Sequence, residues 1–183
     1  ANYPRLSADT LFVDYKNTFH TDGYIAEIFR FIEDFQLKRP DLWNRFITQF
    51  RSDTDSDGGW RGEYWGKMMR GGCFVYQYTK SDKLFSCLTD AVRGMLDARR
   101  PEGRFSTYSL EMEFHGWDMW SRKYILLGMQ YYLEICRDSQ LREEIINAMK
   151  LHADYIIERI GRPEDGKIQI TDTSDLWEGL NSS

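Results

Sequence analysis

The chain repeats its own pattern at an interval of 57 residues. Gly71 corresponds to Gly128 and Leu84 to Leu141, and the segments 65–105 and 122–168 follow one plan. In each segment a helix-length stretch passes through a short polar break into a second amphipathic stretch, which ends in a turn. A repeat of this size made of two helices is typical of helical-hairpin arrays and rings. We therefore predict an all-α fold built from consecutive helical hairpins.

Apolar spacing places the helices of these hairpins. We expect Ser81 or Asp82 to act as a helix N-cap and Gly161 to stop the last helix. One helix is expected in the region 24–32, another is expected to begin near Pro40, and residues 168–170 alternate as a short strand would. The four helices of the two hairpins are expected at 62–79, 82–99, 117–136 and 139–160.

The length of the chain limits how many hairpins it supplies. A closed ring of six hairpins at ~55 residues each needs roughly 330 residues, whereas 183 residues supply about three hairpins. We therefore expect about half of an (α/α)6 toroid, the N-terminal part of a catalytic domain spanning residues 1–183; a small open array is the alternative. A half toroid predicts an exposed apolar face and self-association through it.

Composition excludes several partners. The net charge of −5 has both signs spread along the chain, so nucleic acid is not expected as a partner. No stretch approaches the ~20 apolar residues of a membrane span, so no membrane partner is expected. Cys73, Cys87 and Cys136 fit neither a disulfide framework nor a metal site, and we expect no metal or cofactor in this chain. The cytoplasm and the periplasm both remain open.

Two loops, 58–67 and 111–124, combine tryptophans with ionisable residues at a predicted helix start. They occupy the same place in the repeat, so we expect them at one rim of the scaffold, where binding sites are usually built. Aromatic faces stack on the C–H surface of a sugar, and charged groups hydrogen-bond its hydroxyls. We therefore predict carbohydrate as the ligand. The candidate binding residues are Trp60, Glu63, Trp117, Asp118, Trp120 and Lys123.

Each candidate also has a structural interpretation. Glu63 with Lys67, and Asp118 with Arg122, have the i, i+4 spacing of ordinary helix ion pairs. Trp120 lies within a predicted helix and is compatible with a core position.

At these loops the chain resembles the β-L-arabinofuranosidase-like glycoside hydrolases, family 127 and its relatives. The resemblance rests on residues 60–67, 116–128 and 177–183. It implies an (α/α)6 barrel followed by β-sandwich domains, and a retaining glycosidase with a cysteine nucleophile in a zinc–cysteine site and a glutamate acid/base. Those elements lie in the later half of the barrel, and no residue here matches the nucleophile or the zinc ligands. Lys123 stands where some relatives have a sugar-binding histidine.

Two other functions remain open. One is an unsaturated glucuronyl hydrolase or a polysaccharide lyase, with Asp118 or Glu63 as acid/base and with Arg61, Arg122 and Lys123 holding a uronate carboxylate. The other is a non-enzymatic helical-hairpin module that binds a partner through its tryptophan loops.

Overall fold

Six α-helices account for most of the residues that the structure, a computed structural model, describes, namely 22–55 and 60–174. The chain is all-α, as predicted: residues 168–170 form no strand, since Ile168 makes one isolated bridge with Ile160 and Ile170 begins a 3₁₀ turn. A π-helical turn, Glu33–Leu37, continues α1. The helices are α1 Tyr24–Ile32, α2 Pro40–Thr48, α3 Arg61–Thr79, α4 Asp82–Asp97, α5 Asp118–Ile135 and α6 Ser139–Arg159.

Capping residues set the helix starts close to where the sequence places them. Pro40 is the first residue of α2. The Ser81 hydroxyl accepts a hydrogen bond of 3.3 Å from the Leu84 amide, which confirms Ser81 as the N-cap of α4. The carboxylate of Asp138 caps α6 by accepting the amides of the second and third residues of that helix at 2.9 and 3.1 Å.

The two predicted hairpins are present. Helices α3 and α4 are antiparallel, because Tyr76 near the end of α3 contacts Phe85 near the start of α4, with 5.2 Å between ring centroids. Helices α5 and α6 are antiparallel as well, because the Leu133 carbonyl near the end of α5 accepts from Arg142 near the start of α6. Each hairpin therefore pairs consecutive helices across a short loop.

Helices α3 and α5 lie side by side and run in the same direction. Phe74 contacts Tyr131 with 5.2 Å between ring centroids, and at the preceding end Gly66 lies under Tyr124. A Cβ on Gly66 would lie 2.1 Å from the Tyr124 carbonyl oxygen, so glycine is what allows the two backbones to approach so closely. Two parallel central helices, each with its antiparallel partner, are what an (α/α) array requires.

Helices α1 and α2 do not form a third hairpin. Phe29 of α1 contacts Tyr78 at the end of α3, whereas Phe46 of α2 contacts Tyr64 at its start. The segment from α1 to α2 therefore runs end to end and antiparallel to α3. The described residues contain two hairpins, and the π-helical turn carries the chain onward from α1 to α2 instead of reversing it. The expectation of about three hairpins in the whole chain stays a prediction.

Open apolar grooves lie on both sides of the α3–α5 pair. One groove, of about 600 Å³, runs between α5 and α6, and its walls include Leu126, Leu127 and Ile156. The other, of about 860 Å³, runs between the α1–α2 segment and α3, and its walls include Phe29 and Met68. Exposed apolar faces are therefore present, while self-association through them stays a prediction. Within the described ranges, no helix is both long and apolar enough to cross a bilayer.

Candidate functional site

The two tryptophan loops meet at one rim, formed by the first turns of α3 and α5. The indole nitrogen Nε1 of Trp120 on α5 donates a hydrogen bond of 2.6 Å to Oε2 of Glu63 on α3. The other oxygen of Glu63 pairs with the ammonium group of Lys67, the i, i+4 contact expected from spacing. The parallel packing of α3 and α5 thus turns equivalent positions of the repeat into direct neighbours.

A row of aromatic rings follows the start of α5. Trp117 and Trp120 meet edge to face with 5.9 Å between centroids, and Trp120 meets Tyr124 in the same way at 5.3 Å. All three side chains are partly exposed. Trp60 immediately precedes α3, has a left-handed backbone with φ of 51°, and is 47% exposed. The rim therefore offers flat apolar surface beside charged groups.

Two lysines of the rim differ in their surroundings. The Lys123 ammonium lies over the Trp120 ring, 4.1 Å from its centroid, and 4.7 Å from that of Tyr124. Burial lowers the pKa of Lys123; the charge of Glu63 opposes this shift, and the charge of Lys67 adds to it. The hydrogen bond to Glu63 raises the pKa of Lys67.

Asp118 does not face this rim. Its side chain is 0% exposed and accepts hydrogen bonds from the Ser106 hydroxyl at 2.6 Å, the Phe114 amide at 2.8 Å and Arg122 Nε at 3.0 Å. The prediction that Asp118 contacts a ligand is therefore not supported by its position. Its i, i+4 pairing with Arg122, the structural interpretation, is confirmed.

Arg122 is the centre of a buried network that holds the loop before α5 against α6. Its guanidinium group pairs with Glu113 at 2.8 Å and lies over the Phe114 ring at 4.4 Å. The Tyr155 hydroxyl of α6 donates to Glu113 at 2.7 Å, and burial together with this contact raises the pKa of Tyr155 to about 12. Because Arg122 is fully buried, it does not reach a ligand at the rim.

His152 of α6 supports the same loop. Its Nδ1 accepts a hydrogen bond of 3.1 Å from the Phe105 amide, and its ring is fully buried. Burial, and then the charges of Arg122 and Arg104, hold the pKa of His152 well below its usual range, so the imidazole is neutral at pH 7.

Four of the six candidates, Glu63, Trp117, Trp120 and Lys123, come together at the rim, and Trp60 stands at the same helix start. Lys67 and Tyr124 belong to the rim too, although the sequence gave Lys67 only a structural role and did not make Tyr124 a candidate. The signal that locates them is their position four residues after Glu63 and Trp120, on the same helix faces. The Arg61 side chain and the motif at 177–183 lie outside the described residues.

The rim can bind a ring through its aromatic faces and hydrogen-bond its substituents through charged groups. It carries one described carboxylate, that of Glu63, and both oxygens are engaged. No group of three or more His, Cys, Asp or Glu suited to a metal ion occurs among the described residues. Burial raises the pKa of the Cys73 thiol, which disfavours the thiolate that a zinc ligand needs.

No protein-family model, curated protein or solved structure matches this chain.

Proposed function

We propose that this chain forms one wall of a carbohydrate-binding cleft in a glycoside hydrolase similar to the β-L-arabinofuranosidases. The observation that carries the proposal is the hydrogen bond from Trp120 to Glu63, because it joins the two tryptophan loops into a single surface. A surface with exposed indole faces beside a carboxylate and two ammonium groups suits a sugar, which has apolar C–H faces and a hydroxyl-rich edge.

The proposal places residues 1–183 in the N-terminal part of an (α/α)6 toroid. Helices α3 and α5 would be inner helices of the ring, with α4 and α6 outside them. The parallel packing of α3 on α5 supports this placement. So do the two apolar grooves, since each lies where a neighbouring hairpin of a ring would pack.

Catalysis would require groups beyond those at this rim. Glycosidases generally use two carboxyl groups that flank the scissile bond, ~5–10 Å apart. Glu63 supplies one carboxylate, whereas Asp118 is buried against Arg122. We therefore assign substrate binding to this chain and assign the catalytic groups, with any zinc, to the later half of the barrel.

An enzyme assay tests whether substrate binding and catalysis belong to different parts of the barrel. A longer protein that contains the complete barrel should hydrolyse a 4-nitrophenyl arabinofuranoside or a related glycoside, and the 183-residue chain should give no turnover. Turnover by the purified 183-residue chain would refute the assignment of the catalytic groups to the later half of the barrel. If the complete barrel hydrolysed no glycoside, the glycosidase assignment would be refuted.

A binding assay tests the wall itself. Burying ~50 Å² of an indole face contributes about 1.3 kcal/mol, which corresponds to about a tenfold change in Kd. Trp60→Ala should therefore weaken sugar binding about tenfold in a fluorescence or calorimetric titration. Phe31→Ala is the matched control, because Phe31 is 61% exposed on α1, away from the rim. Equal effects of the two substitutions would contradict the assignment.

A further inference from the structure

We propose that the carbohydrate bound at this rim carries a carboxylate, as a uronate does, and that the Lys123 ammonium is the group that recognises it. This inference rests on the proposed function, because it specifies the substrate class of the same site. It departs from arabinofuranose, a pentose that has no carboxylate to offer.

The first support is the unsatisfied state of Lys123. Its ammonium group lies over the rings of Trp120 and Tyr124. Among the described residues, no carboxylate forms an ion pair with it and no acceptor takes a hydrogen bond from it, whereas Lys67 is paired with Glu63. An ammonium group has three N–H donors. Lys123 therefore has donor capacity left for a ligand, and its ammonium group is held over the face of the Trp120 ring.

The second support is the charge balance of the rim. The chain as a whole has a net charge of −5, yet here Lys67 and Lys123 face the single carboxylate of Glu63. Another lysine, Lys150 of α6, lines the groove that Lys123 also lines. The buried carboxylates of Asp118 and Glu113 share the guanidinium group of Arg122 and do not form ion pairs with the two lysines. Among the described groups at the rim, two ammonium groups thus lie beside one carboxylate, and that excess favours an anionic ligand.

The third support is the relative placement of ring surface and charge. A uronate has its carboxylate attached to the sugar ring, so a ring stacked beside Trp120 brings that carboxylate within reach of an ammonium lying 4.1 Å from the indole centroid. A charge-assisted hydrogen bond between ammonium and carboxylate is about twice as strong as a neutral one. A neutral sugar would leave Lys123 with no anionic partner.

Of the three basic residues that the sequence suggested for a uronate, Lys123 is the one whose described side chain lies at the rim. Arg122 is buried in its network, and the Arg61 side chain lies outside the described residues. Lys123 alone combines partial exposure with contact to the tryptophan row. Within the described part of the chain, Lys123 is therefore the side chain whose substitution tests recognition of the carboxylate.

The test compares matched sugars on the 183-residue chain. Methyl glucuronide and methyl galacturonide are titrated beside their neutral glucoside and galactoside counterparts and beside their methyl esters, which keep the shape and remove the charge. We expect each uronate to bind about tenfold more tightly than its ester and its neutral counterpart. Lys123→Gln should abolish that preference, Lys123→Arg should retain most of it, and Lys83→Gln, at an exposed site on α4, should leave it unchanged.

The outcomes separate this inference from the function on which it rests. Equal binding of charged and neutral sugars would overturn the inference, and so would a preference for the uronate that persists in Lys123→Gln. Either result would still agree with a sugar-binding wall. Binding of neither class overturns the wall as well. Inorganic sulfate that displaces the uronate with the uronate's own affinity would show recognition of an anion alone, and that result also overturns the inference.

Discussion

The indole N–H of Trp120 donates a hydrogen bond of 2.6 Å to the carboxylate of Glu63, 57 residues earlier in the chain. That separation equals the interval of the sequence repeat, so equivalent positions of the two repeats touch each other. They do so because α3 and α5 pack in parallel, which brings the same turn of each helix to the same height. The contact makes one rim out of two loops.

Removing this hydrogen bond should destabilise the protein measurably. Trp120→Phe leaves the largely buried Glu63 carboxylate without one donor, and hydrogen bonds to charged groups contribute ~1.5–3 kcal/mol. We expect a loss of about 2 kcal/mol in the free energy of unfolding, measured by urea denaturation.

Trp117→Phe is the control for that loss, because the Trp117 indole N–H makes no hydrogen bond among the described residues. It should cost about 0.5 kcal/mol or less. Equal costs for the two substitutions would mean that the bond to Glu63 contributes nothing to stability.

The close approach of α3 and α5 predicts opposite outcomes at two glycines of one helix. Gly66→Ala places a methyl group against the Tyr124 carbonyl, which should force the helices apart and cost about 3 kcal/mol. Gly71→Ala meets no atom within 4 Å and should stabilise the protein by ~0.5–1 kcal/mol. Urea midpoints of both variants check this, and a neutral Gly66→Ala would contradict the packing.

From the Arg122 network we predict that Asp118 stabilises the folded protein. Arg122→Met leaves the carboxylates of Asp118 and Glu113 buried without their cation, and breaking a buried pair in this way costs ~3–5 kcal/mol. Arg162→Met, which removes an exposed pair with Asp165, should cost at most about 0.5 kcal/mol. A mild effect of Arg122→Met would contradict the role of the Arg122 network in stability.

His152 predicts a pH dependence of stability between pH 7 and 5.5. Because the pKa of His152 in the folded protein lies well below its ordinary value of about 6.5, the unfolded chain binds more protons over this range. Stability is therefore fully present above pH 6.5 and falls as the pH drops below it, by up to about 1.4 kcal/mol per pH unit. His152→Gln, which keeps an acceptor for the Phe105 amide, should flatten the slope measured by urea denaturation; an unchanged slope would assign it to other groups.

The sequence predicted the hairpins well because their signals are local. Ser81 is a short-range cap, and the repeat marks where α3 and α5 begin. The arrangement of α1 and α2 was not predictable in this way, since the π-helical turn after Ile32 leaves no distinctive spacing. What decides their direction is the packing of Phe29 and Phe46 against α3, which is a long-range contact.

The candidate site was predictable only in part, because local sequence signals do not show which side chains become buried. Glu63 and Asp118 both lie in the first turn of a helix beside tryptophans, so local sequence treats them alike. Their environments differ because the loop before α5 folds back and supplies Ser106 and the Phe114 amide to Asp118, whereas Glu63 meets Trp120 from the neighbouring helix. Burial that depends on a loop's path is not encoded in spacing.

The central claim, that both tryptophan loops form one carbohydrate-binding wall, is tested most directly by nuclear magnetic resonance. The indole N–H signals of the 15N-labelled 183-residue chain are followed while a panel of neutral and uronate sugars is added. We predict that the signals of Trp60, Trp117 and Trp120 shift together with a single Kd, while those of the core residues Trp43 and Trp65 stay in place. Sugar additions that move none of the three rim signals, or that move only one loop's signals, would contradict the claim.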